Sequence, residues 1–563
     1  MGMRTTGLSS LAISATTVLV GFLILFPLAM LLYGSLWSSQ PGLPGHFTWA
    51  NYIDAYGDVE TYQVFFNTAL LIGAKTVCAS LMALALAWII ARTDTPGKTF
   101  LETLIIIPFF VPGILEAVGW IMLLSPKTGT LNVFLRSLFG SQFPPFNIYS
   151  LWGIIWVMSL GSVSFLFIFF VTALRNMDGA LEEAAAASGA GPIRTAVTIT
   201  LPMIAPVVLG ASFFSFIRAM DAFEVPVLLG LPAKIFVFGN RIYAAIEYDY
   251  PINYGLATAL GASLFVLMMI LLGIQNKLLH GKEFFVISGK GYKPQVMNLG
   301  RFKYVAFAFC LGYFVVATGL PLSQVVLGSL QPVFGLSQWE RLTLENYHAI
   351  VTDHLLWRGL KNTVVLGGSA AVLTILLCTL VAYITTKTQS RGRKALDFIC
   401  WLPNAIPGIV AGVGMLWAYT TLPVPLYGTL WLLIIVFVTV GLPIGVRLMT
   451  GVMMQLSPEL EECSMAHGAT WGQTFRKIVI PLLKPALAAG VLILFVGFSR
   501  AVSTTILFSV HGAELLAVNL FRYSQVGTRL GTVSALAVVL TVVNVAAMLL
   551  ARRLGAFGNQ TGR

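Results

Sequence analysis

Apolar runs of about 20 residues recur along the whole chain. In a bilayer the backbone N–H and C=O groups must be satisfied within the protein, so runs of this length are typical of helices that cross the membrane. Only 10% of the 563 residues are charged, while 57% are hydrophobic. A soluble protein of this length needs more charged residues to cover its surface. The sequence therefore predicts an all-α integral membrane protein that crosses the bilayer many times.

We predict twelve spans from these runs. Each run is long enough to cross the hydrocarbon core as a helix. Their approximate limits are 11–36, 64–91, 100–124, 150–174, 201–222, 252–274, 303–326, 361–386, 396–420, 427–450, 481–505 and 528–551.

The distribution of lysine and arginine predicts the orientation, because basic loops stay on the cytoplasmic side. The segment 38–63 holds three acids and no lysine or arginine, which places it outside. The segment 275–302 and the tail after 551 are rich in basic residues, which places them inside. With an even number of spans, both termini are expected in the cytoplasm.

The net charge of +12 does not indicate nucleic-acid binding, because the basic residues lie in short segments beside the spans. The five cysteines form no C-x-x-C pair, and four lie in or beside apolar runs. We therefore expect neither a disulfide framework nor a metal site in this chain.

The second half of the chain repeats the first. TWANY at 48–52 matches TLENY at 343–347, and at the same offset PFFVPGI matches PNAIPGI. Six spans precede the second copy, so both copies have one orientation. We predict two like-oriented six-helix halves, related by a two-fold axis along the membrane normal, with a pathway between them. The proline–glycine pair in each of these stretches predicts a kink in spans three and nine.

The expected division is a first half at 1–274, a basic cytoplasmic linker at 275–302 and a second half at 303–563. The two halves differ mainly in a longer outer loop of the first half, near 121–150.

Another repeat, at 175–200 and 451–480, lies on the predicted cytoplasmic side. Each copy begins with acids and small residues, which favour a helix, and continues through a glycine that permits a tight turn. A second helix then leads to a proline that opens the next span. Two interpretations stay open, a structural hairpin and a docking element for a partner. The candidate residues are Glu182, Glu183, Ala184, Ala185, Gly189, Glu461, Glu462, Cys463 and Gly468.

The first copy has the pattern E-A-A, three residues, G, nine residues, I-x-L-P, which resembles the EAA loop of ABC importer permeases. The second copy departs from it at Cys463-Ser464, His467 and Ile480. The resemblance implies that these segments couple the chain to a cytoplasmic ATPase. Because the first copy is the more regular, we expect it to tolerate mutation less.

The resemblance covers most of the chain. FTWANY, ARTDTPGK after the second span and GKGYKP in the linker are similar to sequences of the ferric-iron permease group, with thiamine, polyamine and aminoethylphosphonate permeases as relatives. It implies a type I ABC importer permease fold in the bacterial inner membrane. Cargo would come from an extracytoplasmic substrate-binding protein, and ferric iron is favoured on this resemblance alone. Two copies of a separate ATPase subunit would drive transport.

We do not expect this chain to be an enzyme. It has no G-x-x-x-x-G-K-[ST] motif: Gly97-Lys98-Thr99 matches the end of that motif, but Arg92 stands where its first glycine belongs. No cofactor is expected in this chain, and ATP and Mg belong on the partner ATPase.

Polar residues within the spans are candidates for function, because ionisable groups are costly there. In type I importers the spans after the coupling loops help to line the pathway. The resemblance therefore implies a pathway role for Ser215, Arg218, Asp221, Glu224, Ser499, Arg500, Ser503 and Thr504. The alternative is structural ion pairing, between Asp221 and Arg500 and between Lys75 and Glu116.

A second class of function stays open. Twelve spans in two like-oriented halves also describe a proton-coupled secondary transporter, for which Glu116 is the candidate titrating group. An integral-membrane enzyme is disfavoured, since the sequence has no catalytic cluster.

Overall fold

The computed structural model describes residues 10–177, 179–279, 296–332, 334, 342–390, 392–527 and 529–553. Apart from two isolated bridges, the secondary structure of these residues is helical. The helices of the first half are α1 (Ser10–Ser35), α2 (Ala50–Gly57), α3 (Val59–Arg92), α4 (Lys98–Ile106), α5 (Gly113–Leu124), α6 (Thr130–Phe139), α7 (Leu151–Asn176), α8 (Ala180–Ala187), α9 (Pro192–Thr195), α10 (Leu201–Ala219), α11 (Glu224–Gly230), α12 (Phe238–Glu247) and α13 (Tyr254–Leu279).

The second half follows the same order. Its helices are α14 (Lys303–Phe314), α15 (Leu320–Ser329), α16 (Glu345–Thr352), α17 (His354–Lys387), α18 (Arg393–Trp401), α19 (Gly408–Thr421), α20 (Leu430–Met453), α21 (Pro458–Ala466), α22 (Trp471–Thr474), α23 (Ile480–Ser499), α24 (Leu516–Val526) and α25 (Leu530–Arg553). Single π-helical turns at Ala196–Thr200, Val315–Gly319 and Phe475–Val479 join α9 to α10, α14 to α15 and α22 to α23.

Ten helices within the described residues are long and apolar enough to cross a membrane. They correspond to ten of the twelve predicted spans, and the predicted fold class is confirmed. The other two predicted spans are bent pairs, α4 with α5 at 98° and α18 with α19 at 112°. In each pair the residue before the proline, Val111 or Ile406, is extended, because the proline ring disfavours helical backbone there.

The first bent pair, α4 with α5, still carries the chain across the membrane. At the end of α7, Arg175 forms two hydrogen bonds, of 2.8 and 2.7 Å, with Glu102 of α4. The start of α4 therefore lies on the side where α7 ends. Since α7 has 26 residues and is about 39 Å long, its start lies on the opposite side. The chain between α3 and α7 must cross, and α4 and α5 together form one broken span.

The repeated Asn-Thr pairs of α3 and α17 hold two short helices, α12 and α24. Asn67 donates to the carbonyl of Phe236 (3.0 Å), and the hydroxyl of Thr68 accepts from the first N–H of α12 (3.1 Å). In the second half Asn362 and Thr363 make the same two contacts with the start of α24, at 3.0 and 2.8 Å. The threonine hydroxyls thereby satisfy N–H groups that a helix start leaves free. The bend of 69° between α11 with its 3₁₀ turn and α12 was not predicted.

The asparagines of the TWANY and TLENY stretches fasten the outer end of each half's first span. Asn51 donates to the carbonyls of Ser35 and Trp37 (3.1 and 2.9 Å). Asn346 donates to the carbonyls at the equivalent end of α15, at 3.1 and 2.8 Å. The sequence repeat therefore marks the same anchor in both halves.

The first span of each half packs against the other half. On α19, a Cβ at Gly414 would lie 2.7 Å from the carbonyl oxygen of Pro27 in α1. On α5, a Cβ at Gly119 would lie 2.6 Å from the carbonyl oxygen of Pro321 in α15. Only glycine allows the backbones to approach this closely. The two halves therefore interlock through an exchange of their first spans.

Candidate functional site

Both repeated segments, at 175–200 and 451–480, form the predicted helix–turn–helix. The first consists of α8, a turn at Gly189 and α9; the second consists of α21, a turn at Gly468 and α22. The two glycines have φ angles of +82° and +83°, which side chains rarely adopt. We call these hairpins the first and second coupling segments, after the role that the resemblance implies for them.

One acid of the first coupling segment is buried. The carboxylate of Glu182 lies 2.8 Å from Nη1 of Arg92, at the end of α3, and the two side chains are 8% and 3% exposed. Its other oxygen accepts a hydrogen bond of 2.6 Å from Thr200, in the π turn before α10. Glu182 therefore ties α8 to the second and the fifth spans.

The second coupling segment has an equivalent anchor. Glu461 is buried, accepts a hydrogen bond of 2.7 Å from Tyr383 and lies 3.7 Å from the amino group of Lys387, both near the end of α17. Trp471 of α22 donates to the Tyr383 hydroxyl at 2.9 Å. Arg92 and Lys387 occupy equivalent positions in the two halves, as do Glu182 and Glu461.

This anchor was not predicted from the sequence. Arg92 stood out there only as a mismatch to a nucleotide-binding motif, and Lys387 was missed as a partner of an acid. The signal was present, because a basic residue ends the second span of each half at the offset that relates the two TWANY-like stretches.

The remaining candidate residues of both segments are accessible. Glu183 and Ala185 are half-buried, and Ala184 and Gly189 are exposed. In the second segment the residues at these positions include Glu462, Cys463 and Gly468, all exposed. Each segment thus presents small and acidic side chains outward while a neighbouring acid fixes it to the spans.

A cavity of about 200 Å³ lies between α1, the end of α10 and the α18–α20 region. Its polar lining consists of Arg218, Asp221, Asn404, Thr439, Ser503 and Thr504. Both halves therefore contribute to its wall, and four of the eight predicted pathway residues line it.

Asp221 joins the halves beside this cavity. Its carboxylate accepts a hydrogen bond of 2.6 Å from the backbone N–H of Gly408, at the break between α18 and α19. Its charge partner is Arg218, at 3.7 Å. The alternative of an ion pair between Asp221 and Arg500 is therefore wrong. The cation that pairs with Asp221 is Arg218, three residues earlier in the same half.

The other four predicted pathway residues lie outside the cavity lining. Ser215 is buried and accepts a hydrogen bond of 2.9 Å from Lys75 of α3. Ser499 donates to Asn544 of α25 at 2.6 Å. Glu224 begins α11, and Arg500 caps the end of α23.

The suggested Lys75–Glu116 pair is also wrong. Lys75 bonds to Ser215, whereas Glu116 packs against α7, where a Cβ at Gly161 would lie 2.6 Å from its carboxylate. Among the residues that the structure describes, no three or more His, Cys, Asp or Glu side chains are grouped so that they could hold a metal ion.

The model of the family "Binding-protein-dependent transport system inner membrane component" matches the chain twice, at residues 77–281 and 374–556. One match falls in each half of the duplicated sequence.

Two of the relatives that match most of the chain are named for ferric transport. The ferric transport system permease protein FbpB of Actinobacillus pleuropneumoniae is 28% identical over 501 residues, which cover 88% of this chain and 70% of that protein. The putative ferric transport system permease protein FbpB 1 of Haemophilus influenzae is 30% identical over 454 residues, covering 79% and 70%.

Other similarities cover less of the chain. A sulfate transport system permease protein, CysT of Salmonella typhimurium, is 32% identical over 195 residues, which cover 32% of this chain and 70% of that protein. A chain in the crystal structure of a bacterial alginate ABC transporter, in complex with a pentasaccharide-bound periplasmic protein, has a TM-score of 0.38 and 18% identity. It covers 47% of this chain and 98% of its own length.

Proposed function

The chain belongs to the family of binding-protein-dependent transport system inner membrane components, and we propose that it is the permease of an ATP-driven importer of ferric iron. The choice of cargo rests on how much of this chain each relative matches. The relatives named for ferric transport span most of the chain, whereas the relative named for sulfate matches about a third of it. Polyamine, thiamine and aminoethylphosphonate are the alternative cargoes. Family membership disfavours a proton-coupled carrier.

Two copies of a cytoplasmic ATPase drive this importer, one on each coupling segment. ATP and Mg bind to that partner, and this chain itself needs no cofactor. The outward side chains beside Glu183 and Glu462 support this assignment, because small residues let a partner's backbone approach closely. The buried anchors at Glu182 and Glu461 support it too, since they connect a docked partner to the spans.

An extracytoplasmic substrate-binding protein delivers the cargo to the outer face of this multi-pass membrane protein. Both termini lie in the cytoplasm of a bacterium, as the basic loops indicate. The cargo then passes between the halves, through the region of the cavity beside Asp221 and Ser503. Ferric iron is chelated by the binding protein before release, so this chain needs no ligand set of its own.

Uptake of labelled ferric iron, in cells that express the chain with its ATPase and binding protein, tests this function. Valine at Gly189 and Gly468 forces a β-branched side chain into left-handed backbone, so uptake should fall to the level of cells without the chain. Alanine at Gly191 and Gly472 is the matched control, since neither glycine has positive φ, and a methyl group at either position would have no neighbour within 4 Å. Uptake of polyamine, thiamine or phosphonate in place of iron would contradict the proposed cargo but not the assignment as an importer.

A further inference from the structure

Helix α3 makes three sets of polar contacts with its own half, at three depths. Asn67 and Thr68 hold α12 on the outer side, Lys75 bonds to α10, and Arg92 pairs with α8 at the cytoplasmic end. The helix has 34 residues and is about 50 Å long. Helix α3 is therefore one rigid element that begins beyond the level of the Lys75–α10 contact and ends at the first coupling segment. Helix α10 is the span whose end lines the cavity.

The contact in the middle of α3 is unusual for a membrane span. Lys75 is 3% exposed, and its amino group donates to the hydroxyl of Ser215 at 2.9 Å and to the carbonyl of the same residue at 3.4 Å. An ionisable side chain at this depth is costly and needs a reason to be there. One turn beyond Ser215, Arg218 lines the cavity and pairs with Asp221.

The second half lacks this contact. Helix α17 keeps the outer anchor at Asn362 and the cytoplasmic anchor at Lys387. At the position equivalent to Lys75 it has Ala370, and opposite, where Ser215 would be, α23 has Leu494. Both residues are buried and apolar. Of the three sets of contacts, only the one in the middle of the helix is therefore missing from the second half.

We propose that α3 transmits the displacement of the first coupling segment to the wall of the cavity, with Arg92 as the input contact and Lys75 as the output contact. The proposal rests on the proposed docking of an ATPase to the coupling segments. A displacement of α8 acts on the end of α3 through the Arg92–Glu182 pair. Lys75 lies about 25 Å from Arg92 along the helix. There it passes the displacement on to α10 through its hydrogen bond with Ser215. Lys75 and Arg92 are positioning residues, and the first half drives the pathway more directly than the second.

The test uses the full complex in proteoliposomes and measures two quantities, ATP hydrolysis stimulated by the binding protein and cargo uptake. Lys75→Met removes the amino group and keeps the length of the side chain. Hydrolysis should persist within about twofold while uptake falls about tenfold or more, so the ratio of cargo moved to ATP hydrolysed falls. Lys75→Arg, which keeps a donor, should restore part of that ratio.

Ser215→Ala is the second variant, because it removes the same hydrogen bond with a smaller change. It should give the same phenotype, and the double variant should be no worse than either single one. Val77→Met, on the exposed face of the same helix, is the matched control and should behave as wild type.

The proposal would be overturned if the ratio of uptake to hydrolysis were unchanged in both Lys75→Met and Ser215→Ala. This holds whether both activities persist or both decrease in parallel. Failure of the proposed function is distinguishable, because the wild-type complex would then show no hydrolysis stimulated by the binding protein. If the wild-type complex shows stimulated hydrolysis but no uptake of iron, the proposed cargo is wrong and the proposed role of α3 is unaffected.

Discussion

The carboxylate of Asp221, in the first half of the chain, lies 2.6 Å from the backbone nitrogen of Gly408, in the second half. This hydrogen bond crosses the interface between the halves at the break of a span. It also borders the cavity. A contact at this place holds the two halves together where we propose that the cargo passes.

Removing the Asp221 carboxylate should loosen the resting state. A hydrogen bond to a charged group contributes about 1.5–3 kcal/mol, which is roughly a ten- to hundredfold shift between two conformations if only one contains it. We expect Asp221→Ala to raise ATP hydrolysis in the absence of the binding protein. Asp221→Asn keeps an acceptor for Gly408 and should raise it much less. Equal effects of the two substitutions would show that the charge, and not this hydrogen bond, matters.

Breaking the buried anchor should affect stability, unlike changes at the half-buried acid beside it, Glu183. Glu182→Ala leaves the Arg92 guanidinium buried without a partner, and removing one partner of such a pair costs about 3–5 kcal/mol. Glu183→Ala should change stability by no more than about 0.5 kcal/mol. Thermal unfolding of the purified protein in nanodiscs measures both. If Glu182→Ala melts at the wild-type temperature, the pair does not hold α8 to α3.

Parallel charge reversals test whether the two coupling segments are equivalent. We expect Glu183→Lys to reduce co-purification of the ATPase more than Glu462→Lys, because the first segment follows the EAA pattern throughout. Its anchor is also the closer pair, at 2.8 Å against 3.7 Å. Equal losses in the two variants would contradict the expectation.

The exchange of first spans predicts a sharp difference between two glycines of α5. A methyl group at Gly119 would lie 2.6 Å from the backbone of Pro321, whereas Gly113 has nothing within 4 Å. We expect Gly119→Ala to destabilise the protein by about 1–3 kcal/mol through overpacking, with Gly113→Ala close to wild type. Thermal unfolding checks both, and similar melting temperatures would argue against tight packing of α15 on α5.

Most of the fold follows from the sequence because it is set by local patterns. Long apolar runs predict the ten continuous spans, and proline–glycine pairs predict the two breaks. The coupling hairpins follow from alanine, glycine and proline at short spacing. The bend before α12 was missed, since the predicted fifth span ends at 222 and neither α11 nor α12 is long enough to be counted as a span.

The contacts of the site were harder to predict because they join distant parts of the chain. Arg92 and Glu182 are 90 residues apart, and no periodicity relates them. Gly408 binds Asp221 through its backbone N–H, a group that every residue except proline possesses. Polar residues within spans could be recognised as candidates, but their partners had to be read from the structure.

The exchange of first spans also has a consequence for how the protein is made. Ribosomes synthesise α1 at the beginning of the chain, whereas its packing partner α19 follows several hundred residues later. At about 5–20 residues per second, this delay is on the order of half a minute. Throughout that time α1 lacks its contacts with α19, which it tolerates in lipid because it contains no charged residue. Final assembly of the first half therefore cannot precede insertion of the second.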